Sequence, residues 1–176
     1  MNYESMNRIF LIGYMGSGKT TIGKLLAKKL GYSFIDMDNH IEEKQFKTVS
    51  QIFAERGEDE FRRLEQNCLH EVADFENVII STGGGAPCFF DNMDYMNSHG
   101  LTIYLKLTAE ELAERLELAG ISKRPLLAGK SSNELRQFIT EGLQKRELFY
   151  EKATHSLSGS IEDTVGTISR LISDYK

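Results

Sequence analysis

Short apolar runs alternate with amphipathic stretches along this chain. Residues 8–13, RIFLIG, form a nearly continuous apolar run and read as a strand buried on both faces. Residues 19–30 repeat apolar positions at helical spacing, with Ile22, Leu25, Leu26 and Leu30 on one face and Gly31 closing the helix. SFIDMD at 33–38 predicts a second short strand. Residues 40–74 read as largely helical, with breaks near Thr48 and Gly57. NVIIST at 77–82 predicts a third strand that runs into Gly83, Gly84 and Gly85. A helix over 91–98, a strand over 101–107 and a helix over 109–118 follow. Residues 119–132 are polar and punctuated by Gly and Pro, the composition of a loop. A long helix over 133–153, a weak fifth strand at HSLSG and a closing helix over 161–175 complete the pattern.

Strands separated by helices, with apolar runs that do not alternate, predict a parallel sheet covered on both faces. The fold class is therefore α/β, and residues 1–176 form a single domain with no repeat or linker. Ligands of such sheets gather at the carboxyl ends of the strands. Three marked segments fall there: the glycine-rich loop after the first strand, Asp36 and Asp38 at the second, and the triple glycine after the third.

Composition narrows the function classes. The chain is 40% apolar and 27% charged with a net charge of −5, so it has no overall attraction for nucleic acid or an anionic membrane. No apolar run approaches the roughly 20 residues that span a bilayer. The opening MNYESMNR lacks the basic start and apolar stretch of a secretion signal, which predicts a cytoplasmic protein. Cys68 and Cys88 have no metal-ligand spacing and read as free thiols. The four histidines are scattered, which argues against a zinc site.

The segment Gly13-Tyr-Met-Gly-Ser-Gly-Lys19-Thr20 fits the phosphate-loop pattern G-x-x-x-x-G-K-[ST]. Its glycines let backbone N–H groups converge on an anion, and the helix beginning near Lys19 adds its positive dipole end. Lys19 can reach the β- and γ-phosphates, and the Thr20 hydroxyl can ligate Mg²⁺. Gly16, Ser17, Gly18, Lys19, Thr20 and Thr21 are thus the candidate ATP-binding residues. A guanine-reading N-K-x-D segment does not occur, which argues against a GTP switch.

The remaining charges each carry two readings. Asp36 and Asp38 would share one face of a strand end, where a carboxylate can orient a hydroxyl, take its proton or hold a metal through water; Asp38 could equally cap the next helix. Arg62, in GEDEFRRLE, could anchor an anion or sit in surface ion pairs, and only one of Arg62 and Arg63 can share the buried face of Phe61 and Leu64. Arg146, in QKRELFYEKA, has the same alternatives. Arg124, in KRPLLAG, lies in the one long loop, either on a mobile lid or in a plain turn at Pro125. Phe53, Phe61, Phe89 and Phe90 read as core, and Phe53 and Phe61 could alternatively wall a small ring.

Taken in order, GYMGSGKTTIG, FIDMDNHIE, GEDEFRRLE, STGGGA, RPLLAG and RELFYEKA resemble the shikimate kinases, P-loop kinases of the nucleoside-monophosphate-kinase type. The resemblance covers nearly the whole chain. It implies a three-layer α/β/α fold with a five-stranded parallel sheet, order 2-3-1-4-5, an acceptor-binding helical region at about 38–74 and a lid at about 120–132. The implied reaction takes ATP and shikimate to ADP and shikimate 3-phosphate, a step toward chorismate and the aromatic amino acids. Lys19, Asp38 and Arg124 would act on the transferred group, with Arg124 also touching ATP. Asp38, Arg62, Gly83, Gly84, Gly85 and Arg146 would hold shikimate. Thr20 and Asp36 would hold Mg²⁺. The implied partners are ATP and shikimate, with no nucleic acid or membrane, and the implied state is a monomer.

Two positions depart from the family pattern. Glu117 stands where some members carry an arginine that stacks on adenine, which leaves Arg115 as the candidate for that contact; Tyr14 replaces a frequent Phe. The competing readings are another P-loop metabolite kinase, such as a gluconate kinase, or a nucleotide-binding protein without catalysis. The triple glycine with Arg62 and Arg146 favours shikimate, and Lys19, Thr20, Asp38 and Arg124 favour an enzyme.

Overall fold

The computed structural model describes residues 7–120 and 127–173. Among these, five strands form one parallel sheet: β1 (Arg8–Ile12), β2 (Ser33–Asp36), β3 (Val78–Ser81), β4 (Leu101–Leu105) and β5 (His155–Leu157). Their order is β2-β3-β1-β4-β5, as the resemblance implied, and every pairing is parallel. The helices are α1 (Lys19–Leu30), α2 (Met37–Gln45), α3 (Val49–Val72), α4 (Asn92–His99), α5 (Ala109–Ala119), α6 (Ser132–Tyr150) and α7 (Ile161–Ser173).

The unbroken apolar character of the strands follows from burial on both faces. Along β1, Phe10 and Ile12 join a core cluster with residues of α2 to α6, while Ile9 and Leu11 join a second cluster with α1 and α7. On α1, Ile22 and Leu26 are buried and Leu30 packs against the second cluster. Leu25, expected on the same face, points outward and is 46% exposed. Phe90, expected in the core, is likewise exposed, with φ of 52°.

The register aligns the functional ends of the central strands. Leu11, Ser81 and Asp36 are neighbours across β1, β3 and β2, so the phosphate loop, the triple glycine and the acidic segment leave the sheet from one row.

The strand expected over 33–38 stops at Asp36. The Asp36 carboxylate accepts from the Asn39 N–H at 3.5 Å and caps α2, so the chain turns helical at Met37. Asp36 and Asp38 therefore do not sit at alternate positions of a strand; one is the cap and the other lies in the first helical turn. A cap satisfies an orphan N–H at a helix start, and here that local gain ends the strand two residues early.

Two breaks in the 40–74 region fall where the sequence places them. Thr48 caps α3 in a reciprocal box with Gln51. Gly57 lies inside α3 with φ 79° and ψ 175°, a conformation reserved almost wholly for glycine, and kinks the helix just before Arg62. Nothing would touch a Cβ at this position, so backbone torsion alone opposes a side chain. Gly57→Ala should lower the unfolding free energy by about 1–3 kcal/mol in urea titration. An unchanged midpoint would mean that α3 runs equally well without its kink.

Candidate functional site

The phosphate loop leaves β1 and enters α1 through Gly16 and Gly18, whose φ values of 84° and 96° suit glycine. A Cβ at Gly16 would stand 3.0 Å from the Leu116 side chain, so the loop is also pressed against α5. Lys19 Nζ donates to the carbonyls of Gly13 at 2.8 Å and Tyr14 at 3.1 Å, folding its ammonium back over the loop. Ser17 Oγ is buried without a hydrogen-bond partner inside the same loop. Thr20 Oγ1 donates to Asp36 Oδ2 at 2.9 Å, which links the start of α1 to the end of β2. Thr21 is exposed on the first turn of α1.

Each of the three glycines after β3 lies where a side chain would collide with, or closely meet, another part of the site. A Cβ at Gly83 would collide with Glu65 Oε1 and lie 3.1 Å from Asp38 Oδ1. One at Gly84 would lie 3.6 Å from Arg146 Nη1, from the Gly13 carbonyl oxygen and from the Met15 nitrogen. One at Gly85 would lie 2.6 Å from Arg62 Nη1. The triple glycine is thus the point where the phosphate loop, Asp38, Arg62 and Arg146 come together.

Arg62 is 9% exposed and Arg63 is exposed, so the choice between the two falls on Arg62. Its Nη1 donates to Glu65 Oε2 at 2.8 Å, while Nη2 and Nε donate to Glu58 Oε1 at 3.0 and 3.2 Å. Its guanidinium carbon lies 4.2 Å from the centroid of Phe89, 5.2 Å from that of Phe61 and 5.7 Å from that of Phe53. The aromatic rings read as walls of a pocket therefore surround the arginine, and Phe89 takes part although it was read as core. Arg146 lies 5.1 Å over the Tyr14 ring on its own side of the glycines.

Glu65 is absent from the sequence reading and is the main addition. It is 1% exposed, and burial pushes its carboxyl up to about 7, against the pull of Arg62. Burial also raises the Asp38 carboxyl, helped by the charge of Asp36 and opposed by that of Lys19. The signal for Glu65 was present: it follows Arg62 by three residues, a spacing that places both side chains on one face of a helix.

Arg115 donates from Nη1 to the Ser17 carbonyl at 3.3 Å, so α5 is tied to the phosphate loop. A shallow depression beside it is lined by Ser17, Lys106, Leu107, Ser158 and Gly159. Arg124 and the rest of 121–126, within the region read as a lid, lie outside the described residues. Cys68 is buried and Cys88 half-buried, both as free thiols. Among the described residues no helix is long and apolar enough to cross a membrane.

The family model described as shikimate kinase matches residues 15–175. A shikimate kinase of Parabacteroides distasonis is 64% identical over 149 residues, 85% of this chain and 86% of that protein. The crystal structure of a shikimate kinase from Bacteroides thetaiotaomicron has a TM-score of 0.90 at 50% identity, covering 94% of this chain and 98% of its own. A shikimate kinase from Acinetobacter baumannii, solved in complex with shikimate, has a TM-score of 0.86 at 32% identity, covering 99% and 97%. With a family match over most of its length and close relatives of near-equal extent, this chain belongs to the shikimate kinase family.

Proposed function

We propose that this enzyme transfers the γ-phosphoryl group of ATP to the 3-hydroxyl of shikimate, giving shikimate 3-phosphate and ADP. The carrying observation is the convergence of the phosphate loop, Asp38, Arg62 and Arg146 on Gly83–Gly85. An acceptor lodged there meets two guanidinium groups and a carboxylate within reach of a bound triphosphate.

Lys19 leaves its carbonyl partners and follows the β- and γ-phosphates when ATP enters. Its compact charge then offsets charge on the transferred group. Arg62 and Arg146 hold the shikimate carboxylate through paired N–H donors. Of the two carboxylates already on Arg62, Glu58 is 55% exposed and is the one that an incoming anion displaces; Glu65, 1% exposed, stays. Asp38 orients the attacking hydroxyl and is placed to take its proton. Its raised affinity for a proton makes it a better base than an ordinary aspartate. The N–H groups of Gly83, Gly84 and Gly85 approach the acceptor because no side chain stands between.

Thr20 and Asp36 fit a magnesium ion, since hydroxyl and carboxylate already meet at 2.9 Å beside the loop. Bound there, Mg²⁺ would neutralise charge on the β- and γ-phosphates. Arg115, tied to the phosphate loop through the Ser17 carbonyl, is the candidate for the adenine contact. Arg124 would reach the γ-phosphoryl from the lid, a role resting on the sequence pattern RPLLAG. The same reading carries a cytoplasmic monomer acting on two small anions.

Lys19→Ala should lower kcat by on the order of 10²–10³-fold in a coupled ADP-release assay with shikimate as acceptor. Near-normal turnover would remove Lys19 from the mechanism, and turnover of gluconate in place of shikimate would select the other metabolite-kinase reading. Arg62→Ala should raise the shikimate KM by about 10–100-fold with little change in the ATP KM. Equal shifts in both would make Arg62 a structural residue.

Glu65 also makes acceptor binding depend on pH. Between about pH 6 and pH 8 it passes from neutral acid to carboxylate beside Arg62, so the shikimate KM should rise across that window. Glu65→Gln should flatten this slope at saturating ATP; an unchanged slope would exclude Glu65 as its source. The sign for stability is the same. The folded carboxyl titrates about 7 against an ordinary 4.5, so its contribution is complete below 4.5 and is lost as pH rises through 7.

A further inference from the structure

Helix α6 carries a second polar group into the same region. Tyr150 follows Arg146 by four residues, one helical turn, and lies on the same face. It is 0% exposed, and its hydroxyl donates to the Gly84 carbonyl at 2.5 Å. Its ring packs against Tyr104, with centroids 5.1 Å apart. Arg146 adjoins the same hydroxyl. On its other side Arg146 lies over the Tyr14 ring, itself buried and pressed against Gly142 of α6, where a Cβ would collide with the Tyr14 hydroxyl. The guanidinium is therefore confined between one aromatic face and one phenolic hydroxyl.

We infer that Tyr150 is a positioning residue, whose hydroxyl locks the Gly84 peptide and the Arg146 guanidinium in the mutual geometry that binds the acceptor. The inference rests on the acceptor reading proposed above. Three glycines in a row have the least intrinsic preference for any backbone conformation, so a fixed arrangement needs an external restraint. The Tyr150 hydroxyl supplies one. A trans peptide is planar, so holding the Gly84 carbonyl toward α6 also fixes the opposite direction of the Gly85 N–H. Neither Gly84 N–H nor Gly85 N–H serves as a donor in the turn that follows, which uses the N–H groups of Ala86 and Cys88 instead. Both remain for a ligand. Burial also raises the Tyr150 phenol, which keeps it a hydrogen-bond donor at every working pH.

Tyr150→Phe removes one oxygen and keeps the packed ring. It leaves the Gly84 carbonyl without its donor and frees one side of Arg146. The shikimate KM should rise by about tenfold while the ATP KM stays within about twofold, since a lost hydrogen bond to a restrained group is typically worth about 1 kcal/mol or somewhat more. KM reports only the folded fraction, so this split is readable even in a less stable variant. Added to Arg146→Lys, the same change should raise the KM by less than the product of the two single effects, because both act on one guanidinium. Should the Phe variant yield no folded protein, fluorotyrosines of increasing acidity at position 150 replace it. The shikimate KM should then fall with donor strength while the ATP KM does not move. An unchanged shikimate KM in Tyr150→Phe, equal shifts in both constants, or a flat fluorotyrosine series would overturn the inference. Wild-type protein without shikimate turnover would instead overturn the acceptor reading beneath it.

Discussion

Backbone approach at residues 83–85 constrains the site more than any single side chain does. The carboxylates of Glu65 and Asp38, the guanidinium groups of Arg62 and Arg146, and the backbone of the phosphate loop all press toward three consecutive positions without a Cβ. A parallel sheet makes this possible. Its central strands end in one row, and the loops that leave them share the same small volume. A Cβ at Gly83 or Gly85 would displace Glu65 or Arg62, whereas one at Gly84 would meet its neighbours at ordinary contact distance. At Gly83 and Gly85 glycine is thus required for closeness, and closeness is what phosphoryl transfer needs from a protein.

Closeness also concentrates charge. Arg62 lies beneath three aromatic rings with a carboxylate at 2.8 Å that solvent hardly reaches. A buried pair of this kind is weak support for stability, because desolvation offsets most of the attraction. Its value lies elsewhere. Glu65 holds the guanidinium in one orientation, and the aromatic rings prevent it from turning toward water. The raised carboxyl of Glu65 records the cost of that arrangement on the acid side. On the base side, Asp38 is raised by the same burial and by Asp36, which the helix cap brings near it.

The sheet and the phosphate loop were legible in the sequence because each is written locally. Apolar runs give strands, glycine spacing gives the loop, and Gly31, Thr48 and Gly57 punctuate helices where backbone rules place them. Asp36 escaped a correct placement because two local preferences compete at SFIDMD. β propensity favours extending the strand, whereas an aspartate with an N–H three residues ahead favours a cap, and the cap won. Leu25 and Phe90 were misplaced because the expected face and the expected core depend on which neighbours arrive later. Glu65 and Tyr150 went unread for a different reason. Their spacing from Arg62 and Arg146 marks a shared helix face, but spacing alone does not tell whether that face meets solvent or the triple glycine.

The charge of the whole chain points the opposite way from its site. A net −5 would repel ATP and an acidic acceptor if it were spread evenly. The site instead collects Lys19, Arg62 and Arg146, with each cation already engaged: Lys19 on loop carbonyls, Arg62 on two glutamates, Arg146 on an aromatic face. Binding is therefore an exchange of partners. The phosphates take Lys19 from neutral carbonyls, which hold it more weakly than an anion does. The acceptor takes part of Arg62 from Glu58, the more exposed of its two carboxylates. Partners that are easily given up keep the cations oriented before ligands arrive, and they let ligand charge supply the stronger interaction.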